Sequence, residues 1–261
     1  MSPFIALLLV FLLGGFLIYT VAKSGRWKTP LTNEFNPKWR KYLLDNISFY
    51  EKLNPLERQQ FEFKVAEFLH NILITGVKTE INDNDKLLVA ASAIIPIFQF
   101  PKWQYKNLKE VLIYPSQFGY DFALDGDDRS VLGMVGNGYM EGKMILSRPS
   151  LIHGFKNEKD KNNTAIHEFI HLIDKADGVI DGVPAALLEK QYVLPWLQLM
   201  EAEIDNIQKG KSDLKPYGGT NRMEFFAVLG EYFFEHPKQL EKKHPELFKL
   251  LTKIFDTEDD T

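Results

Sequence analysis

The chain has no cysteine among its 261 residues. A disulfide and a thiolate metal site are therefore both excluded, so any bound metal must be held by nitrogen and oxygen atoms. Positive charge is also scarce, because 31 lysines and arginines stand against 35 aspartates and glutamates and leave a net charge of -4. A basic surface of the kind that binds nucleic acid is not expected, and we predict no nucleic-acid partner.

Charge is absent altogether from one long apolar stretch, residues 3–22. A helix of that length measures about 30 Å and can span the hydrocarbon core of a bilayer. We therefore predict a single-pass N-terminal transmembrane anchor at residues 1–24, which makes the membrane a partner through residues 3–22. The basic residues that follow at positions 23, 26 and 28 place the rest of the chain in the cytoplasm by the positive-inside rule. The alternative is a cleaved signal peptide.

The apolar content of 45% is high enough for the remaining chain to bury the core of one domain. We expect a linker and domain entry at residues 25–48, the domain at residues 49–255, and an acidic tail at residues 256–261. Helical periodicity starts after Asn54 and dominates beyond residue 160. Two short strands are predicted between these helical regions, at residues 111–114 and 143–147. The predicted fold class is α+β, a helix-dominated domain with a small sheet, preceded by one transmembrane helix.

Two histidines and a glutamate stand at the H-E-x-x-H spacing within residues 164–171. On a helix His167 and His171 lie one above the other, so both can bind one metal ion. Glu168 lies to the side of this pair, where it can take a proton from a water molecule that the metal activates. The spacing predicts a zinc hydrolase. The alternative is an ordinary helix packed into the core through the apolar residues between the histidines.

Catalytic zinc usually takes three protein ligands, so a third ligand is needed. Glu224 and Glu231 share one face of a strongly apolar helix, where burying a bare carboxylate would be costly. We predict that Glu224 is the third ligand and that Glu231 accepts a hydrogen bond from a ligand histidine. Asp177 and Glu189 are alternative third ligands. Both glutamates of the apolar helix can also be read as ordinary surface residues of an amphipathic helix.

The motif, followed downstream by a tyrosine and by Glu-Phe-Phe-Ala, resembles the zinc-peptidase domain of lethal-factor-type toxins. From about residue 50 to residue 255 the chain resembles more closely the Mlc titration factor A family of bacterial zinc peptidases. The shared stretches are residues 110–115, 166–174, 182–184 and 224–234. This resemblance implies a zincin-like metallopeptidase domain of the gluzincin type, in which a downstream glutamate completes the zinc site.

In the resembled pattern zinc is bound by two histidines and a glutamate, which correspond here to His167, His171 and Glu224. Glu168 corresponds to the general base. The tyrosine that assists the transition state corresponds to Tyr217, for which a structural role is the alternative. The implied function is hydrolysis of peptide bonds in a peptide or protein substrate. The family is also associated with capture of a transcriptional repressor, which implies a second possibility, a membrane-tethered regulator with weak or vestigial peptidase activity.

Two further predictions concern the surroundings of the metal. Asp174 lies three residues past His171 on the same helix face, so it can accept a hydrogen bond from an imidazole N–H and fix the tautomer; otherwise it only ends the helix. In zincin-like folds an edge strand aligns the substrate backbone by β-augmentation. Residues 140–147 are our candidate for that strand, with a plain internal hairpin as the alternative.

Overall fold

The computed structural model describes residues 35–124, 129–156 and 161–255. These ranges form an α+β fold of ten α-helices and one four-stranded sheet, which confirms the predicted fold class in its coarse form. Among the helices of the described ranges, none is long and apolar enough to cross a membrane. The predicted anchor and the acidic tail lie outside the described residues.

The sheet is mixed and has the strand order β1-β2-β4-β3. Strands β1, β2 and β4 run parallel, and the short β3 runs antiparallel to β4. The interior strands are the most apolar, since a strand covered on both faces reads as a continuous apolar run. The strands are Leu73–Gly76 (β1), Glu110–Tyr114 (β2), Gly133–Val135 (β3) and Lys143–Ser147 (β4).

The predicted substrate-aligning strand, residues 140–147, is not an edge strand. Lys143–Ser147 is hydrogen-bonded to β2 on one side and to β3 on the other, while Met140 belongs to a 3-10 turn. This prediction is wrong. The edge strands are β1 and β3. Strand β3 has three residues and begins with a glycine, so it lacks the alternating pattern that identifies a strand in a sequence.

Three helices precede the sheet: Pro37–Asn46 (α1), Ser48–Lys52 (α2) and Pro55–Asn71 (α3). The first lies inside the segment predicted as linker and domain entry. It is tied to α3 by Arg40, whose guanidinium donates two hydrogen bonds to Glu62 at 2.7 and 2.8 Å. The hydroxyl of Tyr50 donates to the same carboxylate at 2.5 Å. The folded part of the chain therefore includes residues before 49.

An apolar helix, Asp83–Ile94 (α4), lies in the middle of the core and is followed by a 3-10 turn at Pro96. It begins with a capping box in which Asn82 and Asp85 each accept a hydrogen bond from the other's backbone N–H. Asp85 also accepts two hydrogen bonds from Arg148, at the start of Arg148–Lys156 (α5). The cap of one helix therefore fixes the start of another.

The centre of the fold is a pair of helices, Thr164–Asp174 (α6) and Arg222–Glu235 (α8), which pack directly against each other. They approach closely where α8 has a glycine, because a Cβ at Gly230 would lie only 2.2 Å from the Cδ1 of Ile170. Helix α6 also packs on β3, β4, α4 and α5. The remaining helices are Lys190–Gln208 (α7), Pro237–Lys243 (α9) and Pro245–Phe255 (α10).

Candidate metal centre

Helix α6 carries the two histidines on the side that faces α8. Its start is fixed by Asn163, whose side chain accepts a hydrogen bond from the backbone N–H of Ile166 at 3.1 Å. One turn separates His167 from His171, and their Nε2 atoms are 3.1 Å apart. Both side chains are largely buried, with 9% and 12% of their surface exposed. The spacing read from the sequence therefore corresponds to two nitrogens converging on one point.

Glu224 brings a carboxylate to the same point from the first turn of α8. Asn221 caps this helix by accepting a hydrogen bond from the backbone N–H of Glu224 at 2.9 Å. One carboxylate oxygen, Oε2, lies 3.0 Å from the Nε2 of His167 and 3.5 Å from the Nε2 of His171. Together the three residues form a group that could hold a metal ion.

The distances within this group fit a small divalent cation. Atoms that bind a tetrahedral zinc ion through bonds of about 2.0–2.1 Å lie roughly 3.3 Å from one another. The three separations observed here, 3.0, 3.1 and 3.5 Å, bracket that value. Two imidazole nitrogens and a carboxylate oxygen are also ligand types that zinc takes in catalytic sites. The residues present therefore fit the metal that the sequence predicts.

The alternative third ligands lie elsewhere. Asp177 is exposed in the turn after α6, where it accepts a hydrogen bond from the backbone N–H of Val179. Glu189 is exposed at the start of α7 and contacts the side chain of Gln191. Neither belongs to the group formed by the two histidines and Glu224.

The side chains of His167 and Glu224 shift each other's pKa. Burial alone would lower the pKa of His167, but its contacts with the carboxylates of Glu224 and Glu231 outweigh burial and raise that pKa to about 10. Burial opposes ionisation of Glu224, but the two histidines hold its pKa well below the usual range. A cation bound at this point would take the place of the proton that they share.

Glu168 follows His167 on α6 and is 6% exposed. Burial raises its pKa above the usual value, while the charges of the two histidines oppose that rise. Strand β3 crosses directly over its side chain: a Cβ at Gly133 would lie 2.8 Å from the Cγ and 2.9 Å from the Oε1 of Glu168. The glycine thus leaves the space that the glutamate side chain occupies.

Glu231 holds the other nitrogen of His167. Its Oε1 lies 2.7 Å from the Nδ1 of His167, and its Oε2 accepts hydrogen bonds from the backbone N–H of Asn163 at 2.9 Å and from the Nζ of Lys215 at 2.8 Å. An ionised carboxylate can only accept hydrogen bonds. The proton of a neutral His167 therefore belongs on Nδ1, which leaves the Nε2 lone pair for a metal.

Tyr217 lies in the 3-10 turn Pro216–Gly219 just before α8. Its ring centroid is 6.0 Å from that of His167, and about half of the residue is exposed. Partial burial of the hydroxyl and the nearby charge of Glu224 raise the pKa of Tyr217 above its usual value. The hydroxyl therefore stays protonated at neutral pH and can donate a hydrogen bond.

Asp174 is fully buried at the end of α6. Its Oδ2 accepts a hydrogen bond from the backbone N–H of Gly182 at 2.8 Å, and burial raises its pKa to about 6. Within the described part of the chain, neither its Oδ1 nor the Nδ1 of His171 has a hydrogen-bond partner. The structure thus gives Asp174 a contact with the following loop and not the predicted contact with an imidazole.

One cleft of about 500 Å³ is lined by the proposed metal ligands His167, His171 and Glu224 and by Glu168, Glu231 and Tyr217. Strand β3, the residues just before it, Ile180 and Met223 also line this cleft. The metal group, Glu168 and Glu231 lie at its floor. Its volume lies within the range that is usual for ligand-binding clefts.

Comparison with known proteins assigns the chain to a family. The model of a family described as glucose-regulated metallo-peptidase M90 matches residues 22–256. The chain belongs to this family. An uncharacterised protein of Synechocystis is 28% identical over 232 residues, which cover 84% of this chain and 83% of that protein.

Proteins named Mlc titration factor A are similar over comparable lengths. The one from Pectobacterium atrosepticum is 26% identical and covers 79% of this chain and 78% of its own length. The one from Escherichia fergusonii is 25% identical and covers 88% and 89%. The resemblance predicted from the motifs is therefore confirmed, and this M90 member is expected to share a metallopeptidase activity with its family.

Two residues of this M90 site were missed in the sequence. Lys215 lies in a loop, and nothing in its neighbourhood marks it as a partner of Glu231, 16 positions away. Gly133 is one of several glycines between two strands, and its role depends on how closely β3 crosses α6. The only sequence signal for Lys215 was its position two residues before Tyr217.

Proposed function

We propose that the chain is a zinc-dependent peptidase in which His167, His171 and Glu224 hold the metal. The observation that supports this most directly is the set of ligand separations, 3.0, 3.1 and 3.5 Å, next to a buried carboxylate that is not part of the set. A bound zinc ion would lower the pKa of a water molecule to about 7 and polarise the scissile carbonyl. The domain would then be zincin-like and of the gluzincin type.

Glu168 is the proposed general base. It takes the proton of the attacking water and delivers it to the leaving amine, so no covalent intermediate with the protein is needed. Its raised pKa suits this role, because a carboxylate that is a slightly stronger base accepts the proton more readily and still releases it.

Tyr217 is the proposed donor to the oxygen that becomes negatively charged in the transition state. It lines the same cleft as β3, and its hydroxyl keeps its proton at neutral pH. Removal of one such donor typically costs about 2.7–4 kcal/mol of transition-state stabilisation.

Strand β3 is the proposed support for the substrate backbone. Its outer edge is unpaired within the described sheet, and it runs across Glu168. An extended peptide added to this edge would place its backbone along the cleft, with side chains alternating toward and away from the floor.

The test is metal analysis together with digestion of a peptide library by the wild type and by Glu168→Gln. We expect one zinc ion per chain in both proteins and cleavage by the wild type alone, because the substitution removes the base and leaves the ligands. Glu189→Gln serves as the matched control and should retain both properties. A wild type without zinc, or equal cleavage by Glu168→Gln, would refute the proposal.

The alternative function is a regulator that binds a protein partner without cutting it. Several relatives carry the name Mlc titration factor A, which favours keeping this alternative. If capture of a repressor is the function, Glu168→Gln should bind the partner as well as the wild type does, and neither protein should cleave it. The proposed place of action is the cytoplasmic face of a membrane, through the anchor predicted at residues 3–22.

A further inference from the structure

Lys215 is the one lysine or arginine among the described residues that line the cleft. The acidic groups that line the cleft are the carboxylates of Glu168, Glu224 and Glu231. A cation at such a place can bind a substrate, or it can hold a residue of the site in position. The contacts of its Nζ atom distinguish these two roles.

The Nζ of Lys215 is directed at the protein. It donates a hydrogen bond to the Oε2 of Glu231 at 2.8 Å and has a longer contact with the Oδ1 of Asn162 at 3.4 Å. Its side chain is 28% exposed, whereas that of Glu231 is 3% exposed. The ammonium group is therefore the positive charge that accompanies a buried carboxylate, which would otherwise be costly to keep ionised.

The geometry of the carboxylate shows what this contact does. Two donors, Lys215 and the backbone N–H of Asn163, occupy Oε2, so Oε1 is directed at the Nδ1 of His167. Asn163 is the N-cap of α6, the helix that carries His167. Lys215 contacts Glu231 from a loop outside α6. This contact fixes the rotation of the Glu231 carboxylate about its Cγ–Cδ bond.

The segment that carries Lys215 is itself firmly held. Asp213, two residues earlier, accepts hydrogen bonds from four side chains of other segments: Lys161 at 2.8 Å, Lys243 at 2.9 Å, Tyr232 at 3.0 Å and His244 at 2.7 Å. Removal of the Lys215 ammonium group should therefore leave the course of the backbone unchanged. Its effect should be confined to Glu231 and to what Glu231 contacts.

We propose that Lys215 is a positioning residue of the metal site: it locks Glu231 against the Nδ1 of His167 and so keeps the Nε2 of His167 directed at the metal. This inference rests on the proposed function. Partners of metal-ligating histidines commonly contribute about 10- to 100-fold to metal affinity. The structure extends that dependence by one residue, from Glu231 to a lysine in a separate loop.

The experiment is a double-mutant cycle on zinc affinity, measured by competition with a chromophoric chelator. Lys215→Met should weaken zinc binding by roughly 10-fold or more in the wild-type background. In a Glu231→Gln background the same substitution should change affinity by less than about 3-fold, because the group it acts through is gone. Lys215→Arg should bind zinc within about 3-fold of the wild type, since it keeps the charge and the donor.

Lys243→Met is the matched control. It also removes a lysine–carboxylate pair from this part of the fold, but its partner is Asp213. It should bind zinc as the wild type does. Lys215→Gln replaces Lys215→Met in the cycle if the methionine variant does not fold, because glutamine keeps a neutral donor and should still weaken binding several-fold.

Four results separate the possible conclusions. Wild-type affinity in Lys215→Met would overturn the role of Lys215 and leave the proposed zinc site intact. Equal losses in both backgrounds would also overturn it, because Lys215 would then act independently of Glu231. A loss of zinc affinity in Lys243→Met as large as that in Lys215→Met would also overturn the role of Lys215, because the loss would then be a general effect of removing ion pairs. A folded wild type that binds no zinc would overturn the proposed function and this inference together.

Discussion

Gly133→Ala should disable the proposed general base while leaving the metal ligands in place. The new Cβ would lie 2.8 Å from the Cγ of Glu168, about 0.6 Å closer than ordinary van der Waals contact, and 2.8 Å from the Cγ2 of Thr164. Glu168 is buried under β3 and cannot avoid this contact by turning into solvent. Either its side chain shifts along the cleft floor or β3 moves away from α6.

The size of the effect follows from what either movement disturbs. A positioned general base contributes about 10²–10⁴ to a rate, and a displacement near 1 Å can cost on the order of 10². We therefore expect kcat/KM to fall by roughly 10²-fold. Overpacking of this kind also costs about 1–3 kcal/mol of folding stability, which should lower Tm by a few degrees.

The assay compares zinc content, Tm and steady-state kinetics on a peptide that the wild type cleaves. Thr164→Ser is the matched control, because it removes the Cγ2 atom and leaves Glu168 untouched; alone it should resemble the wild type. The double variant Gly133→Ala, Thr164→Ser should regain part of the lost Tm but little activity. Wild-type kcat and KM in zinc-loaded Gly133→Ala would refute the placement of Glu168 as base beneath β3.

Four further predictions test other parts of the molecule. Alanine at His167, His171 or Glu224 should abolish or greatly weaken zinc binding, as measured by metal analysis. Glu189→Ala should keep the full zinc content. Tyr217→Phe should lower kcat by about 10²–10³ with zinc content unchanged, and equal activity would return the tyrosine to a structural role. Deletion of residues 1–24 should give a soluble, zinc-loaded domain. In cells that express the full chain, added protease should reach the domain only after the cells are lysed. Digestion in intact cells would contradict the cytoplasmic assignment. Burial opposes ionisation of Glu62, but hydrogen bonds from Arg40 and Tyr50 outweigh burial and lower its pKa. Arg40→Met should therefore reduce the free energy of unfolding by about 1–2 kcal/mol at pH 7. Chemical denaturation should show this difference shrinking as the pH falls through the lowered pKa of Glu62, because the carboxylate is then protonated in both proteins.

The approach of the two histidines could be predicted from the sequence because their spacing is local. Two histidines four apart on a helix must share a face, and a glutamate on an otherwise apolar helix must have a partner. Glu224 was therefore preferred over Asp177 and Glu189, and the structure brings Glu224 alone of these three to the histidines. The start of α3 after Asn54 could be predicted for the same reason, since caps and periodicity are local signals.

The features that could not be predicted from the sequence depend on contacts between distant segments. The ion pair of Lys215 with Glu231 joins a loop to a helix, and the proximity of Gly133 to Glu168 depends on where β3 lies in the sheet. Strand order depends on which strands pair with each other. The composition of a three-residue strand such as β3 does not indicate its pairing partner. Asp174 was given the wrong partner because the loop at Gly182 folds back onto it, and no spacing rule describes that return.

Helix α8 contacts α6 through a residue with no side chain, and this close approach bears on the spacing of the proposed ligands. Gly230 lets the side chain of Ile170 pack against the backbone of α8, on the helix that brings Glu224 to the two histidines. A side chain added at position 230 would have to be offset by a smaller side chain at position 170. Otherwise the two helices would separate, and Glu224 would move away from the two histidines. Positions 170 and 230 should therefore vary together wherever this metal site is kept, although neither residue contacts the metal.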